Sequence, residues 1–526
     1  MTFVSAYFVA FLAVVALLYF VVPKTVRWAV LLAASYCFFF LNSEWLILVL
    51  FVQTLVTYLL GRWMGHVDGN IELPDDASAK GRREAKLSAK KKKHHILVFG
   101  VVFNIGIWVF LKYYNFFADS ANVLLNLLGI SLPSLSLLVP IGLSFYTLQA
   151  VAYLVDLQRG KIEADNSLPR FMLFMSYFPQ ILQGPIPRYS QLAHQLYEGH
   201  SFSYKRLCFG SQLILWGFIK KLVIADRIAI PVSQIFDNYL YYDGMLVFLA
   251  AAGYGLQVYA DFSGGIDIAR GFSEILGIEL TPNFNQPYFA RSIEEFWRRW
   301  HITLGAWTRD YIFYPLSLSK SFSRLGKTSR KLFGTVVGKR IPPFLAMFVV
   351  FLFIGFWHGA EWRFIVYGVM NGIFITLAIL LVDQYDAMKK KLHIDEESAS
   401  WEFFQMFRTF LLCSTFRFFS RARSTAQAFR MMGAATIGFF DLSFLVNGEL
   451  LTLGLDTANW VVLVIGIVMM LFVDIVHEKG VSIRDVISEQ GFVARWIIYL
   501  IAFAIPLVFG VYGAGFDSSA FIYQQF

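Results

Sequence analysis

The chain has 526 residues, of which 57% are hydrophobic and only 15% are charged, and its formal net charge is +9. Soluble globular proteins carry roughly 25% charged residues, so this composition excludes a large soluble domain and predicts a polytopic, all-α membrane protein. The positive charge is then the basic bias of cytoplasmic loops, and it does not indicate nucleic-acid binding.

Apolar segments that could cross a bilayer recur from end to end, and some are short enough to be tilted or re-entrant. About 11–13 membrane helices are therefore expected. The candidate segments are residues 4–22, 27–41, 44–60, 96–117, 136–155, 207–230, 245–262, 344–357, 361–382, 403–419, 459–475 and 494–512. The first lacks a basic region and a cleavage site, so we expect a retained helix and not a signal peptide.

Two basic segments predict how the chain is oriented in the membrane. Lysine and arginine residues cluster between Lys80 and Lys93, and again in residues 291–340. Such clusters mark the cytoplasmic side, so loops 61–95 and 291–340 are expected there, with the N-terminus outside. The first cluster could also bind anionic lipid head groups. Beyond residue 400 the topology stays open, because arginines such as Arg417 fit the charge rule poorly.

The middle third of the chain interrupts the apolar pattern. Segment 171–190 contains prolines, Gln180 and Gln183, and segment 253–290 contains Asp261, Ser263 and Asn285. Irregular backbone at membrane depth is tolerated only inside protein or around a water-filled cavity, so these interruptions predict a polar site within the bundle. For each residue alone, a turn, a cap or a structural contact is the simpler interpretation.

Two tryptophan-flanked histidines are the candidate chemical groups. His301 follows Trp300 in a segment rich in tryptophan and arginine, and His358 follows Trp357 at the end of an apolar segment. A neutral imidazole can act as a general base in acyl transfer near pH 7, and an ionisable residue within a membrane protein is a functional candidate. The alternative for His358 is an interfacial position in an aromatic belt, and the alternative for His301 is a helix that lies on the inner membrane surface.

The charge-based topology gives the two histidines different locations. It places His301 near the cytoplasmic face and His358 towards the outside, which predicts two ends of one tunnel and not a compact pair. Arg298 and Arg299 could bind donor phosphates, or could belong to an amphipathic helix on the inner membrane surface. No zinc motif is present in the sequence, and no metal site is expected.

A series of motifs lies at residues 140–146, 178–186, 257–264, 283–288, 291–304, 307–311 and 357–359. In order and spacing these motifs resemble those of the membrane-bound O-acyltransferase family, in its alginate O-acetylation branch. The resemblance covers roughly residues 1–440. We therefore expect an acyltransferase core there, with C-terminal membrane helices at 441–526 packed on it and no separate soluble domain.

The resemblance implies a ring of helices around a thin centre pierced by a tunnel, with His358 as the catalytic histidine and His301 as the second. The residues expected to contact substrate or line the tunnel are Trp357, Trp300, Arg298, Arg299, Asp261, Ser263, Gln180, Gln183 and Asn285. Residues 264–267 and 317–320 depart from the pattern of the branch, which leaves the details of donor and acceptor open.

The resemblance also implies an enzyme of the cytoplasmic membrane that moves an acetyl group from cytoplasmic acetyl-CoA for O-acetylation of an extracellular polysaccharide. An extracytoplasmic partner resembling SGNH or serine esterases, and the polysaccharide export machinery, are the implied partners. Two alternatives remain: D-alanyl transfer to teichoic acid within the same family, or a non-enzymatic lipid or glycan transporter, since broken helices around polar residues also suit transport.

Overall fold

The computed structural model of the protein describes residues 5–69, 79–181 and 183–512. Within these ranges the chain is helical apart from loops and one isolated β-bridge, between Phe284 and Trp300. The predicted all-α fold is therefore confirmed.

The α-helices follow one another with short connections. They are α1 (Ala6–Val21), α2 (Arg27–Ser43), α3 (Ile47–Gly69), α4 (Ala79–Leu125), α5 (Leu143–Gln158), α6 (Leu168–Ser176), α7 (Phe178–Ile181), α8 (Tyr189–Tyr197), α9 (Tyr204–Phe218), α10 (Asp226–Asp237), α11 (Gly244–Leu276), α12 (Ile293–Arg299), α13 (Ile302–Thr308), α14 (Tyr314–Ser317), α15 (Lys320–His358), α16 (Trp362–Leu380), α17 (Val382–Lys391), α18 (Ala399–Arg421), α19 (Thr425–Ala434), α20 (Thr457–Glu478), α21 (Ile483–Ser488) and α22 (Phe492–Phe509).

Shorter helical turns complete the secondary structure. Two are π-helical, Ile219–Ala225 and Arg309–Phe313. The 3₁₀ turns are Lys24–Val26, Glu44–Leu46, Asn126–Leu128, Tyr239–Tyr241, Pro287–Phe289, Ser443–Leu445 and Glu449–Leu453.

Seven helical segments of the described chain are long and apolar enough to cross a membrane, which makes this a multi-pass membrane protein. They are Lys24–Val67, Lys80–Leu128, Gly244–Leu276, Lys320–His358, Trp362–Leu380, Thr457–Glu478 and Phe492–Phe509, with Ala6–Val21 as a shorter apolar helix. Each predicted apolar segment coincides with part of a helix. The larger predicted number includes α5, α9 with α10, and α18, which are shorter, broken by a π-turn or richer in polar residues.

The expectation that the basic segments are loops is wrong. Residues 61–69 belong to α3 and residues 80–95 begin α4, while 291–340 contains α12, α13, α14 and the first part of α15. Lysine, arginine, glutamate and alanine are all good helix formers, so positive charge excludes a segment from the bilayer centre without preventing a helix. Within α15, Gly334 takes a positive φ of 76° and breaks the helical path.

The predicted interruption at 253–290 is also wrong for its first half. Helix α11 continues through Asp261 and Asp267 as far as Leu276. Its glycines serve close packing: a Cβ added to Gly264 would lie 2.9 Å from the carbonyl oxygen of Gly217 in α9. Small residues let membrane helices approach this closely. Beyond Leu276 the backbone is irregular up to residue 292, as predicted.

The chain divides into two compact units. The first unit comprises Met1–Ser211 with Ala269–Thr281, and the second comprises Gln212–Ile268 with Pro282–Phe526. This division follows spatial contacts and does not test an acyltransferase core at 1–440 with added helices at 441–526, which stays a prediction.

In the first unit, helices α3, α4 and α5 meet at a buried polar network. Asn104 donates from Nδ2 to Thr57 Oγ1 at 3.2 Å and to the Gly100 carbonyl oxygen at 2.9 Å. Gln53 Nε2 lies 3.3 Å from Asn104 Oδ1 and 3.5 Å from Thr147 Oγ1. Such interhelical hydrogen bonds satisfy polar groups that cannot reach water.

In the second unit, helices α15 and α16 cross at a pair of glycines. A Cβ on Gly355 would lie 2.5 Å from the Phe364 carbonyl oxygen, and a Cβ on Gly368 would lie 2.4 Å from the Phe351 carbonyl oxygen. Only glycine fits at either position without a shift of backbone. This crossing fixes the C-terminal end of α15, where His358 lies, against the first turns of α16.

Candidate active site

A short antiparallel pairing in the second unit holds the segment that carries the first histidine. The Asn285 backbone N–H donates to the Arg299 carbonyl oxygen at 3.0 Å, and Phe284 pairs with Trp300 in the isolated bridge. Asn285, a candidate site residue, therefore acts in the structure through its backbone. The pairing positions Trp300 and the next residue, His301.

Asn283 ties down the other side of His301. Its backbone oxygen accepts from the Ile302 N–H at 3.0 Å, and its Oδ1 accepts from the N–H and the hydroxyl of Thr303 at 2.9 and 2.8 Å. Between these fixed points His301 takes a left-handed backbone conformation with φ 48° and ψ 53°. Side chains other than glycine adopt it rarely, and such strain persists where the surroundings impose it.

The His301 ring is buried among aromatic rings. Only 1% of the residue is exposed, and its centroid lies 4.9 Å from that of Phe262 and 5.6 Å from that of Trp357. Burial, with a smaller contribution from the charge of nearby His358, lowers the pKa of His301 to about 3. His301 is therefore neutral near pH 7 and can serve as a hydrogen-bonding group.

His358 ends helix α15 and is also buried, with 8% exposed. Its ring centroid lies 5.3 Å from Trp357, 5.8 Å from Tyr367 and 6.4 Å from Phe364. The glycine that follows is required by contact: a Cβ on Gly359 would lie 2.5 Å from the Phe364 ring. The Phe364 ring therefore fills the space where a side chain at position 359 would lie.

The two histidines contact the same indole. The Trp357 ring lies 5.6 Å from His301 and 5.3 Å from His358, measured between centroids. The expectation that the histidines lie near opposite faces of the membrane is therefore wrong, because one indole is much thinner than the roughly 30 Å of the hydrocarbon layer. Charge counting failed here because it assigns a whole loop to one side, whereas residues 282–302 fold back against α11 and α15.

His358 also lines a narrow cavity. The other lining residues are Tyr254, Val258, Phe364, Tyr367, Arg417 and Ser420. The cavity has about 20 Å³ of space for water-sized molecules, which is room for about one water. A larger ligand reaches His358 only if these side chains move.

Trp300 links the segment that carries His301 to helix α18. It is 1% exposed, stacks on Phe296 at 5.4 Å and meets Phe284 edge-on at 5.0 Å. The Arg417 guanidinium carbon lies 4.6 Å from the Trp300 ring centroid, which is a cation–π distance. A buried positive charge therefore lies beside the histidine site.

The two arginines of α12 differ in their surroundings. Arg299 donates to Glu478 at 2.6 and 2.9 Å and forms a 2.8 Å ion pair with Glu295. Arg298 forms a looser 3.6 Å pair with Glu294, and 68% of its side chain is exposed. Of the two, only Arg298 has a guanidinium open to a ligand from solution.

Asp261 is held by a buried lysine. Lys221, in the π-helical turn, lies 2.6 Å from Asp261 and 2.9 Å from Asp226, and all three side chains are almost fully buried. Asp261 was expected to contact substrate or line the tunnel, with a cap or a structural contact as the simpler interpretation. In the structure it forms this ion pair, which anchors the π-turn to α11.

Ser263 has a similar partner. Lys220 donates to Ser263 Oγ at 2.8 Å and to Asp267 Oδ2 at 2.6 Å. Ser263 and Asp261 flank Phe262, whose ring contacts His301, so the ion pairs support the histidine site from behind. The five charged residues, called here the lysine–aspartate cluster, are Lys220, Lys221, Asp226, Asp261 and Asp267.

The candidate glutamines belong to the first unit. Gln180 donates to Gln149 Oε1 at 3.4 Å. Gln183 is fully buried, and neither atom of its amide has a hydrogen-bond partner among the residues that the structure describes. A role of Gln180 and Gln183 in lining a channel stays a prediction.

Sequence reasoning did not select several residues of the site. Tyr254, Tyr367 and Phe364 gave no signal, because an aromatic residue in an apolar helix is ordinary. Two signals were available: Lys220 and Lys221 lie inside an apolar segment, and Arg417 fits the charge rule poorly. An ionisable residue at membrane depth is worth examining for a partner or a function.

Several known proteins are similar in sequence to this chain over most of its length. The family model for the membrane-bound O-acyltransferases matches residues 155–335, which include His301. The chain is 31% identical to a probable alginate O-acetylase of Pseudomonas syringae pv. tomato, over 85% of this chain and 76% of the relative. It is 32% identical to a probable alginate O-acetylase of Azotobacter vinelandii, over 84% and 79%.

A second group of relatives is more distant. The chain is 28% identical to a teichoic acid D-alanyltransferase of Streptococcus thermophilus, over 58% of this chain and 74% of the relative. The longer and stronger matches are to the O-acetylases. On these matches the chain belongs to the membrane-bound O-acyltransferase family, in the branch of the alginate O-acetylases, and is an O-acyltransferase embedded in a membrane.

Proposed function

We propose that this enzyme moves an acetyl group from a cytoplasmic donor across the membrane for O-acetylation of an extracellular polysaccharide such as alginate. Its similarity to probable alginate O-acetylases over most of the chain supports the acetyl group and the polysaccharide. The observation that carries the proposal is a buried pair of histidines on one indole, with a narrow cavity beside His358.

In this proposal His358 is the general base. It accepts the proton of the acceptor hydroxyl as that oxygen attacks the acyl carbonyl carbon, and it returns a proton to the departing thiolate of the donor. General acid–base catalysis of this kind contributes about 10²–10⁴-fold. His301, buried and neutral, orients a reacting group through hydrogen bonding, and Trp357 holds the two imidazoles at a fixed separation.

Acetyl-CoA is the proposed donor, because its thioester is activated and its phosphates suit a basic surface. Arg298 is the arginine of α12 that is exposed to solution, and guanidinium groups match phosphate oxygens. The donor would meet the protein on its cytoplasmic side. The proposed location is the cytoplasmic membrane, with the N-terminus outside and the basic segments 61–95 and 291–340 inside.

Transfer to the sugar is proposed to be completed by an extracytoplasmic acetyltransferase partner resembling SGNH or serine esterases, acting beside the polysaccharide export machinery. The described chain consists of membrane helices and short connections, and this favours a division of labour. D-alanyl transfer is the second candidate, and it rests on the similarity to a teichoic acid D-alanyltransferase.

The test uses a polysaccharide-producing bacterium whose own acetylase of this family has been deleted. Expression of this chain should restore O-acetyl groups on the secreted polysaccharide, and inverted membrane vesicles should consume radiolabelled acetyl-CoA. His358→Ala should abolish both while the protein remains in the membrane. His194→Ala, at an exposed position in α8, is the matched control and should have no effect.

Three outcomes would overturn parts of the proposal. Full acetylation by the His358→Ala protein would remove His358 from the chemistry. D-alanyl esters in place of acetyl esters would assign the second candidate function. Movement of lipid or glycan without consumption of any acyl donor would indicate a transporter.

A further inference from the structure

We propose that Arg417 is a catalytic residue whose guanidinium stabilises the negative charge that forms on the acyl carbonyl oxygen during transfer. This inference rests on the proposed function, because it assumes that acyl transfer takes place beside His358. It adds a second group to that reaction, and it accounts for an arginine that the charge-based topology did not explain.

The position of Arg417 supports this role. The residue lies in the last turns of α18, is 6% exposed, and lines the same narrow cavity as His358. This cavity has room for about one water, so an acyl group that enters it to reach His358 lies close to Arg417 as well. The cavity thus places a base and a fixed cation around one reacting centre.

The orientation of Arg417 is also set in advance. Its guanidinium carbon lies 4.6 Å from the Trp300 ring centroid, and its Nε is 3.8 Å from the position of a Cβ at Gly255. That distance is ordinary van der Waals contact, whereas the same Cβ would lie only 3.3 Å from the Tyr288 hydroxyl, so Gly255 packs closely beside both side chains. A cation held in place before the reaction requires little reorganisation when charge develops.

Arg417 is a buried guanidinium, and ionisable residues buried inside membrane proteins are costly and usually have a function. In a cavity this small, the interaction between a fixed charge and a developing oxyanion is much stronger than in water.

In the proposed reaction the acceptor hydroxyl first loses its proton to His358, while its oxygen forms a bond to the carbonyl carbon of the thioester. The carbonyl π electrons move to oxygen, and the resulting oxyanion is stabilised by the Arg417 guanidinium. When the carbonyl re-forms, the carbon–sulfur bond breaks, and the thiolate takes the proton from the imidazolium of His358.

A purely structural role for Arg417 is the competing explanation, because its stacking on Trp300 could simply support the loop before His301. The matched control is Arg421, one turn along the same helix. Arg421 also makes a cation–π contact, with Phe236 at 5.4 Å, but it does not line the cavity. If both arginines only support the fold through cation–π contacts, their substitution should lower activity by similar amounts. If Arg417 is catalytic, its substitution should lower activity much more than that of Arg421.

The experiment compares Arg417→Gln and Arg421→Gln in the inverted vesicles. Arg417→Gln should lower kcat by on the order of 100-fold, with little change in KM for acetyl-CoA, because the interaction exists only in the transition state. Arg421→Gln should leave kcat within about twofold. In Arg417→Gly, added guanidinium ion should restore part of the activity, and methylammonium should restore less.

Three results would overturn the inference. They are an unchanged kcat in Arg417→Gln, equal losses in both glutamine variants, or loss of Arg417→Gln protein from the membrane together with no rescue of Arg417→Gly. His358→Ala separates this from failure of the proposed function. If His358→Ala is inactive but Arg417→Gln is fully active, only the role of Arg417 is wrong, and if His358→Ala is active the proposed site itself is wrong.

Discussion

The second unit contains two buried polar regions that are built differently. In the lysine–aspartate cluster each lysine lies within 2.9 Å of a carboxylate, so both lysine charges are compensated locally. Around His301 and His358 the neighbouring side chains are mainly aromatic rings. The first arrangement suits a fixed joint between helices, and the second places two imidazoles against one indole. Substitutions should therefore affect folding in the first region and turnover in the second.

The largest expected effect is on stability, at Lys221. Replacing it in Lys221→Met leaves the carboxylates of Asp226 and Asp261 buried without this cation, and removing one partner of a buried ion pair typically costs about 3–5 kcal/mol. The free energy of unfolding, measured by denaturant titration in detergent, should fall by that amount. Arg298→Met is the control, because its exposed pair is worth at most about 1 kcal/mol. Equal losses of unfolding free energy in Lys221→Met and Arg298→Met would show that the lysine–aspartate cluster is not a fixed joint between helices.

Gly368 tests whether the helix crossing positions the histidine site. The Cβ of Gly368→Ala would lie 2.4 Å from the Phe351 carbonyl oxygen, so the helices must separate at a cost of about 1–3 kcal/mol. The rate of turnover should also fall, because His358 ends the displaced helix. A shift of about 1 Å at a reacting group can lower the rate on the order of 100-fold. Gly433→Ala, in α19 with nothing within 4 Å of the new Cβ, should be neutral. Normal turnover in Gly368→Ala would show that the crossing does not position His358.

The low pKa of His301 predicts a pH dependence of stability. Below pH 6.5 the unfolded chain protonates this histidine, but the folded protein, whose His301 pKa is about 3, does not. Stability is therefore lost as pH falls, by about 1.4 kcal/mol at pH 5.5. The free energy of unfolding should be measured against pH for the protein and for its His301→Gln variant. The difference between the two curves should show this loss of stability as the pH falls.

The smallest expected effect is at Glu478. Glu478→Gln weakens the contact between α20 and Arg299, but Arg299 keeps its 2.8 Å pair with Glu295 and both groups are partly exposed. The free energy of unfolding, measured by denaturant titration, should fall by at most about 1 kcal/mol, and the rate of turnover should be normal. If turnover falls sharply while the unfolding free energy does not, Arg299 belongs to the histidine site and not to its support.

Much of the architecture could be predicted from the sequence. Apolar runs locate helices reliably because each spanning segment must satisfy its own backbone hydrogen bonds. The same reasoning failed at Asp261 and Asp267, which lie within the predicted interruption at 253–290 but belong to the continuous helix α11. Their lysine partners lie 40 and 47 residues away in the chain, and a pairing over that distance cannot be read from local pattern.

The sequence selected the two histidines that the structure brings together, but it did not predict their geometry. His301 and His358 were selected because histidine is rare and reactive in an apolar chain, and Trp300 and Trp357 because they flank them. Their proximity depends on the left-handed turn at His301 and on the crossing at Gly355 and Gly368, which are tertiary features. Arg417 was visible only as an exception to a charge rule, since what it faces is decided by the packing of α18.

The length of helix α4 determines how far it extends from the membrane. Its 47 residues make a rod of about 70 Å, more than twice the thickness of the hydrocarbon layer. The lysine-rich first third of α4 must therefore stand beyond the lipid as a stiff, cationic arm. A single cysteine placed at Lys86 on this arm, labelled with a reagent that cannot cross membranes, would report directly which compartment the arm enters.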